Sequence, residues 1–211
     1  METANSATTR ILDASLQRFL REGCVHVSVE EIALELGMSK KTFYKHFPSK
    51  EELIRQLIER MLKELHVKVR AIIESDRAFL ERLDELVRFL GRQVGWLALP
   101  MMRDVQRHMP EIWKTVEQFR RERIATDFKR LLRRGIQEGH IRGDIDIEMF
   151  LIAFTGAVEA VINPAYLSAQ PYSVDQGVRS IMSLFFRGIL SEEARESFAT
   201  LQNKRTEQFI P

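Results

Sequence analysis

Cysteine is nearly absent from this chain, and so are several other features that would point to particular chemistries. The single Cys24 cannot form an intrachain disulfide or a cysteine-based zinc site, and it fits a reducing compartment. Taken alone, it is a small buried hydrophobe near the end of a first helix. No apolar run reaches the roughly 18 to 20 residues that a membrane helix needs, and the opening METANSATTR lacks the apolar centre of a signal peptide. A cytoplasmic protein with no membrane contact is expected. The net charge of +2 is too small to argue for nucleic-acid binding, so only local clustering of lysines can carry that inference. The histidines show no metal-ligand spacing, and neither a glycine-rich phosphate loop nor a nucleophile elbow is present. Asp144, Asp146 and Glu148 lack the full calcium-loop pattern and read as helix capping. No catalytic residue, metal or cofactor is expected, and an enzyme on a helical scaffold is the remotest reading.

Apolar residues make up 45% and charged residues 29% of the chain, the balance of a folded globular protein. No segment alternates with period two, so the fold class expected is all-α. A first helix from Thr9 carries Ile11, Leu12, Leu16, Phe19 and Leu20 at helical spacing and ends at Gly23, with residues 1 to about 8 frayed. From Ser49 an apolar stripe, Leu53, Leu57, Met61, Leu65, Val69 and Ile72 among it, runs for about twenty-five residues in one helix. Further helices are expected over 77–96, 100–108, 110–138, 146–162 and 173–190, with a weaker one after Ser191.

The densest signals lie between Ser28 and Leu53. Ser28 with Glu31 and Ser49 with Glu52 are S-x-x-E capping boxes, and Ser39 is a third N-cap candidate. Each is framed by apolar residues at hydrophobic-staple spacing: Val27 with Ile32, Met38 with Phe43, Pro48 with Leu53. Gly37 sits where a left-handed residue ends a helix and turns the chain. The layout is a helix-turn-helix. Phe43 and Phe47, four apart, share the buried face of its second helix, which points Lys41 and Lys45 outward with Thr42 and Tyr44 on the flanks. Between Gly37 and Lys50 lie four lysines and no acidic residue.

The run from Val27 to Leu53, with its S-K-x-T-x-Y-x-H-F core and following S-K-E-E-L, resembles the DNA-binding domain of the tetracycline-repressor (TetR) family of bacterial regulators. Lys41 departs from the glycine often found there and adds a long donor at the centre of the outward face. The resemblance implies a domain over 1–50 that binds double-stranded DNA and a helical effector-binding and dimerisation domain over 51–211. It also implies that Thr42, Tyr44, His46 and Lys50 contact DNA. From geometry, Lys41, Thr42 and Lys45 are the candidates for base edges. Ser28, Ser39, Lys40, Tyr44, His46 and Lys50 are placed for phosphates.

The helices over 146–162 and 173–190 are apolar over a wide arc, so one face can serve the chain's own core and the other a second copy. Phe150, Val158, Val161, Ile162, Val178, Ile181, Phe185 and Phe186 are the candidates for that homodimer contact. Trp96, Met101, Met102, His108, Trp113, Phe128 and Phe154 are candidates for lining an apolar effector pocket, with Arg120 or Asp127 orienting a ligand's polar end. The expected protein is a regulator, a repressor released from a pseudo-palindromic operator by a small, largely apolar effector. Control by a protein partner, or no ligand control at all, is the alternative.

Overall fold

The structure is a computed structural model and describes residues 2–94, 100–162 and 174–207. Among these residues it is helical throughout, apart from one isolated antiparallel bridge between Ile141 and Leu190. None of the helices described is long and apolar enough to cross a membrane. The chain divides into two compact units, one formed by Met1–Leu65 with Trp96–Phe119 and the other by His66–Gly95 with Arg120–Pro211. The first unit is thus larger than the 1–50 segment expected from the sequence.

In the first unit, α1 (Glu2–Glu22), α2 (Val29–Glu35), α3 (Lys40–His46) and the opening of α4 (Lys50–Ile73) form the helix-turn-helix and its braces. Helix α1 starts seven residues before Thr9. Its first turns contain no proline or glycine and include Ala4 and Ala7, which favour a helix. Two later helices, α6 (Pro100–His108) and α7 (Pro110–Phe119), complete the same unit. Their Met101, Met102, Val105, Ile112 and Val116 are buried in one core with Phe19, Ile32, Phe43, Phe47, Leu53 and Leu57. Phe43 and Phe47 are 0% exposed. Burial of each such ring stabilises by about 1.5–3 kcal/mol, which dominates what the short helix α3 could gain by itself.

The second unit takes the last turns of α4 with α5 (Phe79–Val94), α8 (Ala125–Gln137), α9 (Ile147–Ile162), α10 (Val174–Ile189) and α11 (Glu192–Glu207). One helix was expected from Pro110 to Glu138. Instead, a π-helical turn at Arg120–Ile124 separates α7 from α8. Asp146 caps α9 as expected, accepting from the Glu148 and Met149 amides at 2.9 and 3.1 Å. Asn163 and Pro164, expected to stop or kink that helix, lie outside the described residues.

The core of this unit is an aromatic cluster in which Phe128, Phe150, Phe154, Phe185 and Phe186 meet at centroid distances of 5.6 to 5.9 Å. The range favours edge-to-face and offset contacts. In the same unit the guanidinium of Arg82, 1% exposed, donates to the Ile73 carbonyl at 3.0 Å and lies 3.7 Å from Glu138. Burial, with Arg134 nearby, pulls its pKa below the usual arginine value. It binds the carbonyl end of α4 to the end of α8, where a cation complements the helix dipole.

Gly135 in α8 gives a test of this packing. A Cβ there would lie 2.5 Å from Phe79 Cζ and 2.7 Å from Ile141 Cδ1, and Phe79 is itself buried and stacked on His140 at 5.2 Å. Alanine is the better helix former by about 1 kcal/mol, but overpacking costs about 1–3 kcal/mol. Gly135→Ala should therefore lower the urea midpoint. A rise would mean that Phe79 moves aside without penalty.

Candidate nucleic-acid interface

Local hydrogen bonds build the segment that carries the lysines. The Ser28 Oγ accepts the Glu31 amide at 3.2 Å while Glu31 Oε2 accepts the Ser28 amide at 2.7 Å, so the first capping box is complete. That backbone donor, followed by the Ser28 hydroxyl, holds the Glu31 carboxyl below its ordinary pKa. Gly37 takes φ +64°, and the Met38 amide donates back to the Ala33 carbonyl at 2.9 Å, closing the turn as a left-handed C′ residue permits. Ser39 Oγ accepts the Thr42 amide at 3.0 Å and caps α3. At Ser49 only the serine arm of the expected box forms, with the Glu52 amide at 3.0 Å. The Glu52 carboxylate turns instead to Gln56 and Arg55.

The buried pair Phe43 and Phe47 fixes the rotation of α3 and turns Lys41 and Lys45 to solvent. Neither lysine has a hydrogen-bond or ion-pair partner among the described residues. The other expected contacts are already engaged. Lys40 pairs with Glu30 of α2 and lies 5.9 Å from the centroid of the Tyr44 ring, which is 40% exposed. Through that hydrogen bond the Lys40 pKa is raised and the Glu30 pKa lowered. Thr42 Oγ1 lies 2.9 Å from Ser39 Oγ, and His46 Nδ1 is 3.1 Å from Thr8 Oγ1. Lys50 Nζ donates to the Val25 carbonyl at 3.1 Å, so it clamps the α1–α2 turn. Ser28 spends its side chain on the capping box.

Two contacts between distant positions had no visible signal in the sequence. Asp104 of α6 accepts the Val25 amide at 2.9 Å, and Gly23, at φ +87°, brings its backbone so close that a Cβ would lie 2.5 Å from Asp104 Oδ2. With Lys50 and the Cys24 thiol, which donates to the Met101 carbonyl at 3.8 Å, Asp104 fixes the loop between α1 and α2. In the second unit His66 Nδ1 lies 3.1 Å from Asp127 Oδ2.

The expected effector set is not gathered in one cavity. Met101 and Met102 are core residues of the first unit, with Trp113 packed against that core and His108 exposed. Phe128 and Phe154 belong to the aromatic cluster of the second unit. Asp127 is 4% exposed and lines a cleft whose walls are charged rather than apolar. Trp96 and the Arg120 side chain lie outside the described residues. The sequence shows that Met101, Met102, Trp113, Phe128 and Phe154 are apolar, but not which of two cores each one joins.

The expected dimer set needs a similar correction. Phe150 and Phe186 are buried in their own unit, at 8% and 1% exposure, and Phe185, Val158, Val161 and Ile181 are half-buried. Ile162 and Val178 lie outside the residues whose side chains are described. The free apolar face is the opposite one: Met149, Ile152 and Leu184 are 60%, 66% and 73% exposed, with Ala153, Gly156, Ala160 and Gly188 exposed beside them.

Residues 11–57, which span α1 to the start of α4, match the family model described as bacterial regulatory proteins, tetR family. That segment of the chain is similar to the TetR family of bacterial regulators. The chain is 24% identical over 189 residues to an uncharacterized HTH-type transcriptional regulator, YvaF, of Bacillus subtilis, covering 89% of this chain and 98% of that protein. Against the HTH-type transcriptional repressor KstR2 of Rhodococcus jostii it is 26% identical over 191 residues, covering 87% and 91%. A solved TetR-family transcriptional regulator from Mesorhizobium loti shares the fold at a TM-score of 0.64 and 18% identity, covering 89% and 98% of the two chains. The YvaF and KstR2 relatives are both named as HTH-type transcriptional regulators or repressors.

The loop clamp yields two expectations. Lys50→Ala should lose about 0.5–1.5 kcal/mol of stability in urea unfolding, whereas Lys41→Ala should lose none. An unchanged midpoint for Lys50→Ala would remove the clamp from the account. Burial, then the nearby Asp104 carboxylate, pushes the Cys24 thiol up to about 12. Iodoacetamide at pH 8 should therefore modify Cys24 only after denaturant is added. Rapid labelling of the native protein would show that the loop opens.

Proposed function

We propose that this chain is a TetR-family transcriptional regulator, a repressor that acts in the cytoplasm. It binds a pseudo-palindromic operator as a homodimer, with one α3 helix per half-site, and is released by a small-molecule effector in the second unit. The observation that carries the reading is the pair Lys41 and Lys45, exposed and unpartnered among the described residues on the face of α3 opposite Phe43 and Phe47. With Thr42 they serve base edges, where lysine reaches guanine acceptors and the threonine methyl meets thymine. Tyr44 and the capped starts of α2 and α3 at Ser28 and Ser39 serve phosphates. Lys40, His46 and Lys50 reach phosphate only by sharing or exchanging their present partners.

Helix α3 has seven residues and is about 10 Å long, so it touches few base pairs and needs a second copy for useful specificity. The face of Met149, Ile152, Gly156 and Leu184 supports pairing with another copy of the chain, because its small residues let helices approach closely and its large ones gain by burial. Repression follows the relative named a repressor. The charged cleft favours a polar effector over the largely apolar one expected from the sequence. Whatever its chemistry, the effector must bind the DNA-free state more tightly than the DNA-bound state, and DNA must weaken effector binding by the same factor.

Mobility shift on the DNA upstream of the gene encoding the chain tests the reading. The wild type should bind that DNA in preference to random DNA, and Lys41→Ala should lose about 1–3 kcal/mol of that preference. Equal losses on both DNAs would refute base reading by Lys41. Leu184→Glu should shift sedimentation to a monomer and weaken operator binding together. A dimer that persists would place the contact elsewhere.

A further inference from the structure

The second unit contains a cleft of about 310 Å³ that DNA binding does not use. One wall is His66 and Arg70 from the last turns of α4; the other is Arg123 from the π turn with Asp127 and Arg130 from α8. Glu74 accepts a hydrogen bond from Arg70 and another from Arg130 Nη1 at 3.2 Å, which steers both guanidinium groups to the rim. Arg123 is exposed and has no partner among the described residues.

The floor of the cleft is different in kind. Asp127 is 4% exposed, and its Oδ2 is buried without a hydrogen bond, its near neighbour being His66 Nδ1 at 3.1 Å in an ion-pair contact. A buried carboxylate oxygen without a hydrogen bond is costly and rare in folded chains. The rim is also unusual. It is the π turn at Arg120–Ile124, a local departure from the α-helix that occurs often at functional sites. A second cleft of about 440 Å³ continues along α8, sharing Thr126 and Arg130 and adding Arg133.

We propose that this cleft binds a small phosphorylated ligand, its phosphate held by Arg123 and Arg130 and a hydroxyl or amino group donating to Asp127. Guanidinium groups offer the paired donors that fit phosphate oxygens, and a carboxylate at the floor selects a ligand that brings a donor with its phosphate. A nucleic-acid backbone fits poorly, because its repeated phosphates would meet Asp127 and Glu122 inside a concave site. As the effector site, the cleft rests on the reading of the chain as a ligand-controlled regulator. Its His66 and Arg70 lie on α4, the helix whose first turn is capped by Ser49 just after α3. A ligand held there contacts the element through which the second unit continues into the first.

Calorimetry on the full chain tests the site with ADP, which carries both phosphates and donors, against pyrophosphate and adenosine. ADP should bind saturably, one per chain, and more tightly than pyrophosphate, with adenosine silent. Arg123→Ala with Arg130→Ala should weaken ADP by about tenfold or more. Arg121→Ala, on the same exposed turn but outside the cleft wall, should leave binding unchanged. Asp127→Asn should abolish the preference for ADP while keeping pyrophosphate, and the exposed Arg123 variant keeps the test decisive if Asp127→Asn fails to fold. No saturable binding of ADP or pyrophosphate, an equal loss in Arg121→Ala, or equal affinity for the two probes would overturn the proposal. Mobility shift on the same preparation separates the two readings. Intact DNA binding with silent calorimetry sinks the cleft alone, and ADP binding without DNA binding sinks the regulator reading alone.

Discussion

The anchoring of α3 by Phe43 and Phe47 is the constraint on which the DNA-binding account depends. Two fully buried rings, four residues apart, allow a seven-residue helix only one rotation. That rotation decides which lysines are free. Turning the helix by one residue would bury Tyr44 or His46 and expose the phenylalanines, at a cost greater than any one cap in the segment contributes. The caps at Ser28 and Ser39 and the left-handed turn at Gly37 set where the helices begin and end. The rings set which way the functional face looks.

Around that anchor, charge is sorted by engagement. Lys40 is neutralised by Glu30, and Lys50 is spent on the Val25 carbonyl. Lys41 and Lys45 keep their charge for an incoming partner. Exposed pairs such as Lys40–Glu30 contribute little to stability, so their effect is to orient side chains and tune local potential. The α1–α2 loop is fixed by a different logic, because Asp104 and Lys50 satisfy the amide and the carbonyl of the same residue, Val25, from two helices. In the second unit Glu74 orders Arg70 and Arg130 in the same manner.

Much of this was legible in the sequence, and the unread part has a common cause. The caps at Ser28 and Ser39, the Gly37 turn, the length of α4 and the helix over 100–108 are local, so each is written in residues a few positions apart. Lys40–Glu30, Lys50–Val25 and Asp104–Val25 span 10, 25 and 79 positions, and no spacing rule reaches that far. The apolar set taken as a pocket contained the right kind of residue, but Met101 and Trp113 pack in one core and Phe128 and Phe154 in another. Helices α9 and α10 carry apolar residues on two sides. With both sides apolar, the pattern could not say that Phe150 and Phe186 face inward while Ile152 and Leu184 face outward. The π turn has no compositional mark at all.

The most direct test of the central claim is amine-reactivity footprinting of the native chain, lysine by lysine, with and without its own upstream DNA at low salt, where phosphate and base contacts are strongest. The account predicts that Lys41 and Lys45 react readily in the free protein and become protected by DNA, while Lys50 reacts slowly in both states and Lys63 of α4 reacts equally in both. Unchanged reactivity of Lys41 and Lys45 on a DNA that the protein demonstrably binds would contradict the assignment of the α3 face.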